Sequence, residues 1–469
     1  MFSIGDTGSD HTCAGFARRD FLRVGALGFG GLSLPWLLQE NARAAEGGAS
    51  VVTGKSVILL FMQGGPPHIE MFDPKMDALE NVRSATGQVK TTISGITFGG
   101  TFPRLAKLAH KFAVVRSYGS KNSGHTYESV TTGRNPLKAS MGAIYSRIGG
   151  INNPISGLPT NVLVLPEAVQ DGLQLKSNFE SQAMPSLTPT GELGVSHRAF
   201  SPSGGGDLKA DMQLRMAVER FNDRRGLLDG LDLLRRRVEA SGEFAGADTY
   251  RQQAYDVITR GIATAFDISK EHPKTLARYD TSGLFRMEDW TKFHNMSRTS
   301  NLLGKQLLLA RRLCETGCGL VTVSDCGWDL HADSNSAPGL TAMEPLGGQV
   351  DHAVSAFIED VEARGLSEQI MLIVTGEMGR TPTRNNRGGR DHYGELTPLL
   401  IYGGGLKMGQ VIGSSDDMAA KPASRPYTPE NLLGTVMNVL FDVPKLRLRT
   451  DLPAEFSRIA SYEPIAELV

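Results

Sequence analysis

The strongest constraint in this chain is a recurrence of short, unbroken apolar runs, each stopped by a cluster of glycine, proline or polar residues. The first, Ser56 to Met62, reads SVILLFM and halts at Gln63-Gly64-Gly65-Pro66-Pro67. Similar runs follow at Phe112 to Val115, Asn161 to Leu165, Leu320 to Val323, Ile370 to Val374 and Pro398 to Tyr402. A run of this length with no polar alternation is the pattern of a strand buried on both faces. Between the runs lie segments with helical spacing: Leu214 to Val238, Leu302 to Leu313, Val354 to Val361 and Leu432 to Leu440. Thr428-Pro429 reads as an N-cap followed by proline at the first helical position. The alternation predicts an α/β fold, a mostly parallel sheet with helices on both faces.

The chain of 469 residues has room for one large α/β domain with elaborations. With 49 basic against 50 acidic residues, the net charge of −1 lacks the basic surplus of a nucleic-acid binder. No stretch reaches the ~20 apolar residues of a membrane span. From about residue 201 to 294 no strand pattern is found, and Arg, Asp and Glu fall at helical spacing, which predicts a helical insertion.

The N-terminus carries an address. Ala17-Arg18-Arg19-Asp20-Phe21-Leu22-Arg23 precedes an apolar stretch from Val24 to Leu38 and then Ala42-Arg43-Ala44. That order is similar to a twin-arginine export signal over residues 1–44, ending in a small-residue cleavage site. The expectation is a mature domain from 45 to 469 in the periplasm or outside the cell, with no span left after cleavage. Cys314, Cys318 and Cys326 would remain, an odd number that cannot form a complete disulfide framework, and the first two are expected to be buried thiols.

In a parallel sheet, ligands bind beyond the carboxyl ends of the strands. Four such ends here carry polar residues. The first leads to His68, the second to Ser123 and His125 with Arg134 beyond, and the third to Asp329 and His331. The fourth leads to Glu377 and Arg380, and a loop then brings Asp391 and His392. Imidazole with carboxylate is a ligand set for Zn²⁺ or Mn²⁺, and carboxylates with water suit Mg²⁺. Ser123 reads either as a hydroxyl at a helix N-terminus, placed to attack an anionic ester, or as a turn serine.

The stretch Ser123-Gly-His-Thr-Tyr-Glu-Ser-Val-Thr-Thr-Gly133-Arg134 resembles the nucleophile segment of sulfatases and other alkaline-phosphatase-like enzymes. Val374-Thr375-Gly376-Glu377-Met378-Gly379 resembles a metal-binding strand end of the same superfamily. Gln63 and Met378 depart from it, each standing where a metal donor is expected. A closer resemblance rests on four motifs: Gly64-Gly65-Pro66-Pro67-His68 with Phe72-Asp73-Pro74-Lys75, Gly327-Trp328-Asp329-Leu330-His331, Gly376 to Pro382, and Gly388-Gly389-Arg390-Asp391-His392. These are similar to an exported bacterial family, domain of unknown function 1501, placed in the alkaline-phosphatase-like superfamily.

The resemblance implies a metal-dependent hydrolase of a phosphate or sulfate ester, small or polymeric. A divalent metal ion (Zn, Mn, Mg or Ca) would be held by His68, Asp329, His331, Glu377, Asp391 and His392. The attacking oxygen would come from Ser123 or a metal-bound water, with His125 as acid/base or ligand and Arg134 or Arg380 orienting the anion. Two alternatives stand beside it: a non-catalytic envelope binding protein on a degenerate scaffold, and an enzyme of the same fold doing a different metal-assisted reaction.

Overall fold

A computed structural model describes residues 50–202 and 263–469. The leader, the Leu214 to Val238 spacing and most of the insertion lie outside the described residues.

All six apolar runs form strands of one seven-stranded sheet. Numbering only this sheet, they are β1 (Ser56–Gln63), β2 (Phe112–Val115), β3 (Asn161–Val164), β4 (Leu320–Cys326), β5 (Ile370–Thr375) and β6 (Leu400–Gly403). The seventh, β7 (Gln410–Ile412), is a three-residue edge strand that the apolar pattern does not reveal. The order across the sheet is β7-β2-β6-β5-β1-β4-β3. β1 pairs in parallel with β4 and β5, β3 with β4 and β7 with β2, and β6 alone runs antiparallel to its neighbours.

Side-chain alternation along β1 divides the core in two. Ile58, Leu60 and Met62 face one apolar cluster, which includes Leu303, Leu307 and Leu308 of α2 (Leu303–Glu315) and Val350, Val354 and Phe357 of α3 (Met343–Ala363). Val57, Leu59 and Phe61 face the other, with Ala143 and Ile144 of α1 (Met141–Gly149) and Leu432, Leu433 and Val436 of α4 (Pro429–Leu440). Helices therefore cover both faces, as a sheet of doubly buried strands requires. Thr428 caps α4 with Pro429 at its first position, and its amide donates to Asn431 Oδ1 over 3.0 Å.

Within 263–294 the chain forms short helical pieces, Ala263–Phe266 and Pro273–Arg278 among them. Glu271 anchors this stretch to the core through Arg311, Arg312 and Arg364. Cys314, Cys318 and Cys326 are buried free thiols. No helix among the described residues is long and apolar enough to cross a membrane.

Candidate metal centre

At the carboxyl edge of the sheet, β1 and β4 end side by side, with Gln63 paired to Cys326. Gly64 then turns at φ +118°, and a Cβ there would lie 2.4 Å from the Asp329 amide nitrogen. This close backbone approach, open only to glycine, seats the Gly327–Asp329 turn against the end of β1.

Asp329 sits at the middle of the site, buried at 5% exposure. Its Oδ1 accepts from Arg380 Nη2 at 2.6 Å, and the Nε2 atoms of His331, His392 and His125 lie 3.1, 3.3 and 3.7 Å from the same oxygen. Its Oδ2 accepts from Asn295 Nδ2 at 2.7 Å. Burial opposes the charge, but the hydrogen bonds from His331 and His392 and the Arg380 guanidinium outweigh it, holding the carboxyl far below the usual carboxylate range. For His331 the bond to Asp329 raises the pKa more than burial lowers it.

The three imidazoles arrive from separate elements. His125 comes from the loop after β2 and His331 from the turn after β4. His392 lies on a two-residue strand, His392–Tyr393, paired with Gly379–Arg380 beyond β5. The His125 and His392 rings are 4.5 Å apart between centroids, and His331 and His392 4.6 Å. Each Nδ1 faces an oxygen: Glu377 Oε1 at 3.0 Å from His125, Asp391 Oδ1 at 2.9 Å from His331, and the Ser123 carbonyl at 3.2 Å from His392.

Asp329 Oδ1 and the oxygens behind the rings all only accept, so a ring that keeps its Nδ1 proton for the oxygen behind it has an Nε2 lone pair to offer a cation. A neutral ring can serve only one of its two acceptors with a proton, and a cation among the Nε2 atoms would serve Asp329 Oδ1 in place of the second. The donor set therefore fits a divalent cation of the zinc or manganese type. Donor atoms of His125, Asp329 and His392 lie within 4.8 Å of one another. An oxygen behind each imidazole is the arrangement that fixes tautomer and ring orientation in metal sites.

The structure thus brings together His125, Asp329, His331 and His392. Glu377 and Asp391 stand behind the imidazoles instead of among the donors. Glu377 is fully buried and Oε1 also accepts from the Gly64 amide at 2.9 Å, while its Oε2 makes no hydrogen bond among the described residues.

Besides Glu377 and Asp391, four of the expectations need correction on geometry. His68 is not with the other histidines: the Gly-Gly-Pro-Pro turn carries it onto the short helix His68–Met71, where Nε2 lies 3.0 Å from the Ala419 carbonyl. Burial pushes its pKa down to about 4. Arg380 is fully buried and donates to the carbonyls of Gly64, Gly65, Arg390 and Trp328 as well as to Asp329, so it supports the site from within and presents no open fork to an anion. Arg134 turns to the Ser120 carbonyl at 2.6 Å and faces Glu430 at 3.9 Å. Ser123 is exposed in a loop, and the next helix begins only at Glu128, so its hydroxyl is not at a helix N-terminus.

Gln63 and Met378 are both fully buried, with Gln63 Nε2 donating to Ser324 Oγ. Sequence reasoning missed Asn295, Phe179 and Glu180, which come from stretches with no strand-end signature. The Phe179 ring lies 4.2 Å from that of His125. Glu180 is fully buried, and burial outweighs its hydrogen bonds from Asn178 and Gly327, lifting its pKa to about 8.

A family described as "Protein of unknown function (DUF1501)" matches residues 54–448, which include every donor of this centre. The chain belongs to that family. No curated protein matches the sequence. Among solved structures, Ps i-CgsB aligns with a TM-score of 0.35 and 10% identity over 87% of this chain and 77% of the other. The PsFucS1 sulfatase from Pseudoalteromonas sp. aligns with a TM-score of 0.31 and 13% identity, over 86% and 70%. The phosphonate monoester hydrolase SpPMH from Silicibacter pomeroyi aligns with a TM-score of 0.30 and 13% identity, over 82% and 73%. The architecture rests on the seven-stranded sheet itself.

Proposed function

We propose that this DUF1501 protein is an exported, metal-dependent hydrolase of a phosphate or sulfate ester, built on an alkaline-phosphatase-like scaffold with a helical insertion. One observation carries the reading: three imidazole Nε2 atoms converge on Asp329 Oδ1 while each Nδ1 is tied to an oxygen. A divalent ion held there would supply Lewis acidity toward an ester oxygen. Around it, Glu377, Asp391 and the Ser123 carbonyl hold the imidazoles in one tautomer, and Arg380 and Asn295 hold the carboxylate. The Ser123 hydroxyl, exposed beside His392, is the chain's candidate nucleophile, with water the other source of the attacking oxygen. Export follows the leader reading over residues 1–44.

A second reading, a non-catalytic envelope binding protein, is favoured by the neutral, buried Gln63 and Met378 and by an Arg380 already engaged. Metal analysis of the purified mature chain together with an aryl phosphate and sulfate screen separates the two. The hydrolase reading expects close to one equivalent of bound divalent metal and turnover that stops on chelation. Metal without turnover on any ester favours the binding protein, and neither metal nor turnover refutes the hydrolase.

A further inference from the structure

Two segments far apart in sequence reach the turn that carries Asp329, and each does so through buried polar side chains. From one side, Glu180 Oε1 accepts the Gly327 amide at 2.6 Å, and its Oε2 accepts from Asn178 Nδ2 at 2.9 Å. From the other, Asn295 Nδ2 donates to Asp329 Oδ2 at 2.7 Å and to Ser336 Oγ at 3.0 Å. Ser336 Oγ in turn donates to the Asp329 carbonyl at 3.2 Å, so Asn295 ties both ends of the 329–336 loop.

The two segments also hold each other. Asn178 caps the helix Phe179–Ala183 through the amides of Glu180 and Ser181, and its Nδ2 lies 3.4 Å from the His294 carbonyl. Phe179, the neighbour of Glu180, packs its ring on His125. Glu180 and Asn295 are at 0% and 6% exposure, so solvent offers little substitute for either bond.

We infer that Glu180 and Asn295 are positioning residues for the metal centre: together they fix the Gly327–Asp329 turn so that Oδ1, and not Oδ2, is the oxygen presented to His125, His331 and His392. This rests on the metal reading of the preceding section. With Oδ2 held by Asn295, the carboxylate cannot rotate without breaking a buried hydrogen bond. With Gly327 held by Glu180, the turn cannot slide along the end of β4. By linkage, a ligand that favours this arrangement must tighten the clamp by the same free energy with which the clamp favours the ligand.

The test uses the mature chain with Zn²⁺ and Co²⁺ as probes. Competition against a chelator is expected to show Zn²⁺ affinity reduced about 10–100-fold in Asn295→Ala and in Glu180→Ala. Glu180→Gln, which keeps an acceptor for Gly327 but sets an amide N–H against Asn178 Nδ2, is expected to recover part of it. The visible spectrum of Co²⁺ should shift in Asn295→Ala, a change that mere loss of stability does not produce. Hydrogen exchange on the unmutated chain gives a reading that needs no variant to fold: Zn²⁺ should slow exchange across 178–183, 294–297 and the Gly327 amide. An unmutated chain that does not bind Zn²⁺ overturns the metal reading and this inference together. Zn²⁺ binding with undiminished affinity and an unshifted Co²⁺ spectrum in the variants, or with no protection of the two segments, overturns this inference alone.

Discussion

His125 Nδ1 and the Gly64 amide share one acceptor, Glu377 Oε1, at 3.0 and 2.9 Å. A single fully buried carboxylate thereby links the end of β1, the strand end after β5 and the loop after β2. It makes Glu377 a buttress for the ring whose other nitrogen points toward Asp329. Glu377→Gln is expected to lower metal affinity about tenfold or more, because a neutral amide oxygen, though it can still accept from both donors, is a weaker acceptor than a carboxylate and leaves the His125 ring a poorer ligand. Competition with a chelator at fixed pH checks this, and equal affinity would remove Glu377 from the support of the centre.

Arg380 and Asp329 form a buried pair at 2.6 Å. Removing either partner leaves the other's charge buried with hydrogen-bond partners but without the opposite charge paired to it, so Asp329→Ala and Arg380→Ala should each cost about 3–5 kcal/mol in urea unfolding of the metal-free chain. A loss below about 1 kcal/mol would show the pair to be worth no more than a surface ion pair.

Gly64 cannot carry a side chain without displacing the Asp329 backbone. Gly64→Ala should therefore destabilise the fold by more than about 2 kcal/mol and abolish metal uptake, through backbone strain and collision. A variant with native melting behaviour and full uptake would contradict the close packing of the two turns.

His68 titrates from 6.5 in the unfolded chain to about 4 in the folded one, because burial penalises its charged form. Between those values the unfolded chain binds the proton and the native one does not, so this group makes stability rise with pH across the window. The loss on acidification should level off near pH 4 and amount to about 3 kcal/mol from this group. His68→Gln should flatten the slope between pH 4 and 6.5 relative to the parent in denaturant titrations. An unchanged slope would place the acid sensitivity elsewhere.

If Ser123 supplies the attacking oxygen, Ser123→Ala should reduce kcat/KM on an aryl phosphate or sulfate by about a hundredfold or more with metal affinity unchanged. Its carbonyl contact with His392 belongs to the backbone and survives the substitution. Unchanged turnover would assign the attack to water.

The sheet was legible because its inner strands are apolar without interruption, a pattern that burial on both faces demands. β7 escaped because three residues, Gln410–Ile412, carry too little pattern. The reversal of β6 escaped because strand direction leaves no trace in hydrophobicity. His125, Asp329, His331 and His392 stood out as candidates because each follows a strand end, where an open parallel sheet gathers polar groups. The same reasoning misplaced His68, since adjacency to β1 in sequence says nothing of where a Gly-Gly-Pro-Pro turn leads. Asn295 and Glu180 were invisible for a different reason. They reach the centre from segments that lack strand or helix periodicity, and their role depends on packing between residues 115 positions apart.

The central claim is that one cation binds among His125, His331, His392 and Asp329. Anomalous diffraction from crystals grown with Zn²⁺ tests it most directly. The account predicts a single strong peak among the three Nε2 atoms and Asp329 Oδ1, lost in His392→Ala. A peak at His68, or no peak at these four residues in fully metal-loaded crystals, would contradict it.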